Sequence, residues 1–271
     1  MESRARRYVT LEGYAVEGGL DGSYQPATCY RPTIALGRHA GPGDAEDLWR
    51  EYEQVLDLAA TLGVDGVRLS VEWARVEPRQ GVIDTAALER YAQVARYATS
   101  LGLGLTAVIV DAAWPAWLGL EAWLLPWVVP HVIEQARRVV ATLDSLSGVV
   151  VFASADELVT GGFIESSSPP WRRAARGDAM FARKQIDLIV ATLAADPFIG
   201  PKIVDSTRTV SLARPPIDIA ASLRDADDVD EVYLRSLVKG RGPTQSPVGL
   251  LVKGEGGWRV DASEELLETL H

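Results

Sequence analysis

Three features of the sequence predict an α/β fold, a parallel (β/α)-barrel shortened or incomplete in its C-terminal half. A helix-then-strand unit recurs four times. Its helix-to-strand turns are short, whereas its strand-to-helix segments are longer and polar or aromatic. The strands are nearly continuous apolar runs, as strands covered by helices on both faces are. A length of 271 residues suits one such barrel domain.

The elements follow in order. Residues 10–16 read as the first strand. Leu48, Tyr52, Val55, Leu56, Ala59 and Leu62 recur at helical spacing, and Gly63 supplies the left-handed stop. Residues 64–73 follow as a strand. Asp84 caps a helix carrying Leu88, Tyr91, Val94, Ala95 and Ala98, which Gly102 ends before a strand over 103–110. A third unit has a helix over 132–143 and a strand over 149–153. A fourth has a helix over 178–194 and a strand over 202–207. Beyond it, 217–226 reads as a short helix, 231–237 and 248–253 as strands, and 261–264 as a capping box. The count is six or seven strands. The rival doubly wound sheet needs a phosphate-binding glycine loop. Gly18-Gly19-Leu20-Asp21-Gly22 lacks its spacing and reads as an ordinary loop.

Composition excludes several classes of function. Hydrophobic residues make up 47% of the chain, enough for a sizeable core. Lys and Arg number 27 against 37 Asp and Glu, a formal net charge of -10 that repels phosphate backbones and argues against nucleic acid. The single cysteine, Cys29, excludes a disulfide framework and a cysteine-based zinc site. His39, His131 and His271 lie far apart, so no histidine metal site is indicated, and nothing points to a cofactor. Residues 1–13 lack the apolar stretch of a secretory signal. The most apolar region, 116–133, is broken by Glu121, Pro126 and Pro130 and is too short to span a membrane. The expectation is a cytoplasmic protein.

In a parallel barrel the strand ends carry the chemistry. Those ends hold Glu17, Arg68, Glu72, Asp111, Asp156, Glu157 and Asp205. One charge there is ordinarily a solvated rim residue, but several carboxylates and an arginine converging on one mouth suit acid–base work. Trp114, Trp117, Trp123 and Trp127 follow the third strand. Their flat faces suit stacking on a ring-shaped ligand, although at least two of them read as packing for the loop.

Residues 67–78, VRLSVEWARVEP, resemble the second-strand signature of family-one glycoside hydrolases, the β-glucosidase type. The usual form is Tyr-Arg-Phe-Ser-Ile-x-Trp-x-Arg-Ile-x-Pro. Residues 108–115 are similar to the third-strand motif ending His-Trp-Asp-Leu-Pro. Ser154-Ala155-Asp156-Glu157-Leu158 is similar to the fourth-strand Thr-x-Asn-Glu-Pro. The resemblance implies that Glu157 is the general acid/base and that Arg68 keeps its place at the matching position. With the strand-end charges and the ring-stacking tryptophans, the candidate substrate-binding set is Glu17, Arg68, Trp73, Trp114 and Asp156.

The departures are equally specific. The glutamine that reads sugar hydroxyls becomes Ala15, the third-strand histidine becomes Asp111, and the asparagine before the acid/base becomes Asp156. The acidic, tryptophan-rich last loop becomes Lys239-Gly240-Arg241-Gly242. The stretch carrying the family's nucleophile is not recognisable, and Asp205 is the nearest substitute. Glu157 would then need Asp111 or Asp205 as base for an inverting hydrolysis. Three readings stand. One is a diverged glycosidase acting on a glycoside. A second is a repurposed biosynthetic enzyme that cyclises, dehydrates or isomerises another cyclic small molecule. The third is a non-catalytic binding protein whose open strand edges are covered in a homodimer.

Overall fold

The computed structural model describes residues 6–173 and 176–204, together with strands at 209–211, 231–235, 251–254 and 257–260. Six strands form one sheet: β1 (Arg6–Leu11), β2 (Gly66–Ser70), β3 (Gly104–Val110), β4 (Leu146–Phe152), β5 (Thr209–Ser211) and β6 (Glu231–Arg235). Their order is β4-β3-β2-β1-β6-β5, and every pairing is parallel. β7 (Leu251–Gly254) and β8 (Gly257–Val260) make a separate antiparallel hairpin.

This is the order of a parallel barrel opened along one side. Ile203 bridges to Val149 and Val204 donates to the Val149 carbonyl at 3.0 Å, a rudiment of a strand beside β4. Thr209, only five residues on, belongs to the strand at the opposite end of the sheet. Five residues reach at most about 18 Å. A flat sheet would set those positions roughly 29 Å apart at about 4.8 Å per strand. The covalent chain therefore requires the sheet to curl until its ends face each other.

Alternate residues define the two faces. Val9, Val67, Leu69, Ala107, Ile109 and Val149 are buried against the helices. The other face looks into the barrel. Thr10, Arg68, Thr106 and Gly148 share one register row across it, and Arg235 joins that row beyond Thr10. One row below, Tyr8 stands opposite Gly66. A Cβ on Gly66 would lie 2.2 Å from the Gly104 carbonyl oxygen and 2.7 Å from the Tyr8 ring. The aromatic ring fills the space that the glycine leaves.

Seven helices accompany the described strands: α1 (Gly13–Val16), α2 (Arg31–Ala35), α3 (Leu48–Thr61), α4 (Trp73–Val76), α5 (Thr85–Ser100), α6 (Val128–Thr142) and α7 (Arg176–Ala194). α3 buries Leu48, Tyr52, Val55, Leu56 and Ala59, and Gly63 follows at φ +65. The Asp84 side chain accepts from the Ala87 N–H at 3.0 Å and caps α5. Among the described residues, no helix is long and apolar enough to cross a membrane.

Several boundaries differ from the sequence expectation. The first strand is 6–11 rather than 10–16, because Gly13 begins a single helical turn over the end of β2, whose bonds run from Ala15 and Val16 to the Glu12 carbonyl. The second strand stops at Ser70, and the Glu72 N–H leaves the ladder to donate to the Tyr91 hydroxyl at 3.0 Å. α6 starts at Val128, since Pro130 sits in a first turn whose N–H groups need no helical partner. Beside β4, only Ile203 and Val204 of the expected 202–207 strand are described. The readings at 217–226 and 261–264 lie outside the described residues.

Candidate active site

The barrel mouth holds a cavity of about 180 Å³ at the carboxyl ends of the first four strands. β1 contributes Thr10 and, just past its end, Glu12. β2 contributes Arg68 and Ser70. β3 brings Val110, then Asp111 and Trp114 beyond it. β4 brings Phe152, followed by Ala153, Ser154, Glu157 and Leu158. Tyr30, Ser168 and Pro169 close the sides.

Arg68 is buried, and its Nη2 donates to the Ala153 carbonyl at 3.3 Å, tying β2 to the loop after β4. Ser70 donates its hydroxyl hydrogen to Asp111 Oδ2. Glu157 opens a π-helical segment, Glu157–Glu165. Such turns interrupt helices frequently at functional sites. Its glycines permit the geometry. A Cβ on Gly162 would lie 2.5 Å from the Pro169 carbonyl oxygen, and one on Gly161 2.6 Å from Ser168 Oγ. The returning chain thereby crosses close beneath the segment. The Ser168 hydroxyl donates to the Glu157 carbonyl at 3.3 Å.

Tyr30 was invisible to sequence reasoning as a site residue. It stacks on Tyr14 at 4.5 Å between centroids and takes the edge of Trp171 at 5.2 Å. Burial pushes its phenol well above the ordinary value, and Cys29, Glu157 and Asp111 add to the shift. The group thus stays a neutral hydrogen-bond donor. Glu12, Ser70 and Ser168 were likewise missed. Ser70 alone carried a signal, as the serine of the second-strand signature.

The structure brings Arg68, Asp111, Trp114 and Glu157 to one cavity and leaves Glu17, Trp73 and Asp156 outside its lining. Glu17 lies buried in an ion pair with Arg75 at 3.0 Å and accepts from the Tyr91 hydroxyl at 2.7 Å. Arg75 in turn stacks over Trp49 at 4.0 Å. Trp73 is buried, donates to Glu77 at 3.2 Å and meets the edge of Trp117. Asp156 faces away towards α7 and pairs with Arg183 at 2.6 Å. Asp205 lies outside the described residues. Of the four tryptophans after β3, Trp114 and Trp123 are buried against each other, whereas Trp127 is 38% exposed.

Glu72 stands apart from the cavity lining, buried, with Oε2 lacking a hydrogen-bond partner. Burial holds its carboxyl well above the usual range, reinforced by the charges of Glu17 and Asp111. Among the described residues, no group of histidine, cysteine and acidic side chains is arranged to hold a metal ion.

A parallel sheet of this order with helices around it is the (β/α)-barrel architecture, in which acids and an arginine at the carboxyl ends of the strands meet at one mouth. Solved structures share this fold. Aphid myrosinase aligns with a TM-score of 0.67 and 14% identity over 83% of this chain and 52% of its own. The virulence factor SghA from Agrobacterium tumefaciens gives 0.66 and 18%, covering 98% of this chain and 73% of its own. Among curated proteins, β-glucosidase 26 of Oryza sativa subsp. japonica is 24% identical over 125 residues, 46% of this chain and 24% of that protein. No family model matches. The chain therefore has the β-glucosidase type of barrel fold, while the matched part spans a quarter or less of the curated relatives it resembles.

Proposed function

We propose that the chain is an acid–base enzyme of glycosidase type, a single barrel domain in which Glu157 is the general acid/base acting on a glycoside or another cyclic small molecule. The observation that carries this reading is the opening of Asp111 and Glu157 onto one cavity above the buried Arg68. In hydrolysis, Glu157 gives its proton to the leaving oxygen. Asp111 takes a proton from the attacking water on the opposite face, an inverting route that works across about 6.5–9.5 Å. Asp205 is the other candidate base. Neutral Tyr30 is a donor for ring oxygens.

A second reading draws on Ala15, where the related motif has a sugar-reading glutamine, and on the Tyr30, Trp114 and Phe152 lining. A site short of polar readers recognises sugars poorly. It suits a less polar ring, on which the same acid and base would catalyse cyclisation, dehydration or isomerisation.

The test is a hydrolysis screen with aryl β- and α-glycosides, run beside Glu157→Gln. Loss of a general acid/base costs about 10²–10⁴-fold in turnover. Release that falls by that factor supports the glycosidase reading, and unchanged release rejects Glu157 as the acid. No release from any glycoside by the parent chain moves the reading to non-hydrolytic ring chemistry.

A further inference from the structure

Just past the end of β1 stands an acid that the proposed reaction does not use. Tyr8 and Thr10 face the barrel interior, and Glu12 follows them by the same alternation. Glu12 lines the cavity. Its backbone is fixed from two sides. The Glu12 carbonyl accepts from the Ala15 and Val16 N–H groups at 3.1 and 3.0 Å. A Cβ on Gly13 would lie 3.1 Å from Glu72 Oε2 and 3.4 Å from the Ser70 carbonyl oxygen, so the start of α1 sits close against the end of β2. The same turn leaves Ala15 exposed and outside the cavity lining. Of β1 and α1, Thr10 and Glu12 are the residues that line the cavity.

Strand order places Glu12 across the mouth from Glu157. Along the sheet, β1 is separated from β4 by β2 and β3. Round the other way lie β6, β5 and then Ile203 and Val204 beside β4. The two strands therefore stand on opposite walls. A ring in the cavity lies between them, with the flat side chains of Tyr30 and Trp114 in the lining.

The chemistry of the wall selects the ligand. A carboxylate only accepts hydrogen bonds, and its two oxygens take two donors side by side. Adjacent hydroxyls on a ring supply such a pair. A cationic group is disfavoured, because the Arg68 guanidinium lines the same cavity and its residue pairs in register with Thr10, two residues before Glu12. An anionic group would meet Glu12, Asp111 and Glu157 together.

We infer that Glu12 is a specificity-determining residue, whose carboxylate accepts from two adjacent hydroxyls of a neutral cyclic ligand seated in this cavity. The inference rests on the reading of this mouth as the reaction site, and it favours a hydroxyl-bearing ring over an apolar one.

Isothermal titration calorimetry with phenyl C-glycosides tests it. These probes have no glycosidic C–O bond to hydrolyse. Binding is thus read whether or not the chain is a glycosidase, and a failure of Glu157 as the acid leaves this test untouched. The probes are the β-linked glucose, galactose, mannose and xylose forms, followed by the monodeoxy analogues of the tightest binder. In the parent chain, removal of either of two neighbouring hydroxyls should weaken binding at least about tenfold. In Glu12→Ala neither removal should matter. In Glu12→Gln, whose amide keeps one acceptor oxygen, one of the two losses should remain. A merely structural role would lower every affinity alike and leave these ratios unchanged. Equal ratios in all three chains, or no binding of any of these rings to the parent chain, would overturn the inference.

Discussion

Ser70 and Asp111 are hydrogen-bonded across the ends of neighbouring strands, with the serine hydroxyl donating to one carboxylate oxygen at the cavity wall. The pairing orients Asp111 and leaves its second oxygen for substrate or water. Hydrogen bonds to charged groups contribute about 1.5–3 kcal/mol. Ser70→Ala should therefore lower kcat/KM by roughly tenfold or more on any substrate that the site turns over. Kinetics that match the parent chain would show that Asp111 is held by other groups.

Glu72 predicts an unusual pH dependence of stability. Its carboxyl is held above the usual range in the folded chain by burial and by Glu17 and Asp111. The folded state thus binds a proton that the unfolded chain releases first. The resulting stability is fully present below the unfolded carboxylate value of about 4.3 and is lost as pH rises towards the folded value. Glu72→Gln removes the titration. Thermal melts should show the variant more stable than the parent at neutral pH, because folding the parent there costs either the uptake of a proton or a buried charge and folding the variant costs neither. The two chains should converge in acid. A variant less stable at pH 7 would contradict a Glu72 carboxyl held above the usual range.

Tyr91 ties two loops together. Its hydroxyl donates to Glu17 at 2.7 Å and accepts from the Glu72 N–H at 3.0 Å, all in a buried setting. Tyr91→Phe leaves both groups short of a partner. Denaturant unfolding should show a loss of about 1–3 kcal/mol with little change in the slope.

Gly66 is required by contact rather than by its backbone angle. Its missing Cβ would overlap the Gly104 carbonyl and the Tyr8 ring. Gly66→Ala should destabilise by about 1–3 kcal/mol or more through overpacking. Trimming the ring in Tyr8→Leu alongside Gly66→Ala should recover only part of the loss, because the Gly104 carbonyl is immovable backbone.

Local pattern alone determined much of this molecule. The helical spacing of Leu48 to Leu62 and of Leu88 to Ala98, each closed by a glycine, marks α3 and α5, since one buried face repeats every turn whatever the surroundings. The apolar runs mark β2, β3 and β4 as covered on both faces, and the second-strand motif carries the likeness to β-glucosidases. Arg68, Asp111 and Glu157 were legible because strand ends point into a barrel mouth.

Tertiary structure decided the rest. Asp156 and Glu157 are consecutive, yet one pairs with Arg183 on α7 and the other lines the cavity, because successive side chains at the start of a helical segment diverge in direction. Glu17 resembled a strand-end acid, but one helical turn after β1 carries it into a buried pair with Arg75. Tyr30 reaches the cavity only through the packing of its loop against Tyr14 and Trp171. Sequence periodicity records which face of an element is buried; which loop residues meet is set by the curl of the sheet and the path between elements, and no local pattern encodes either.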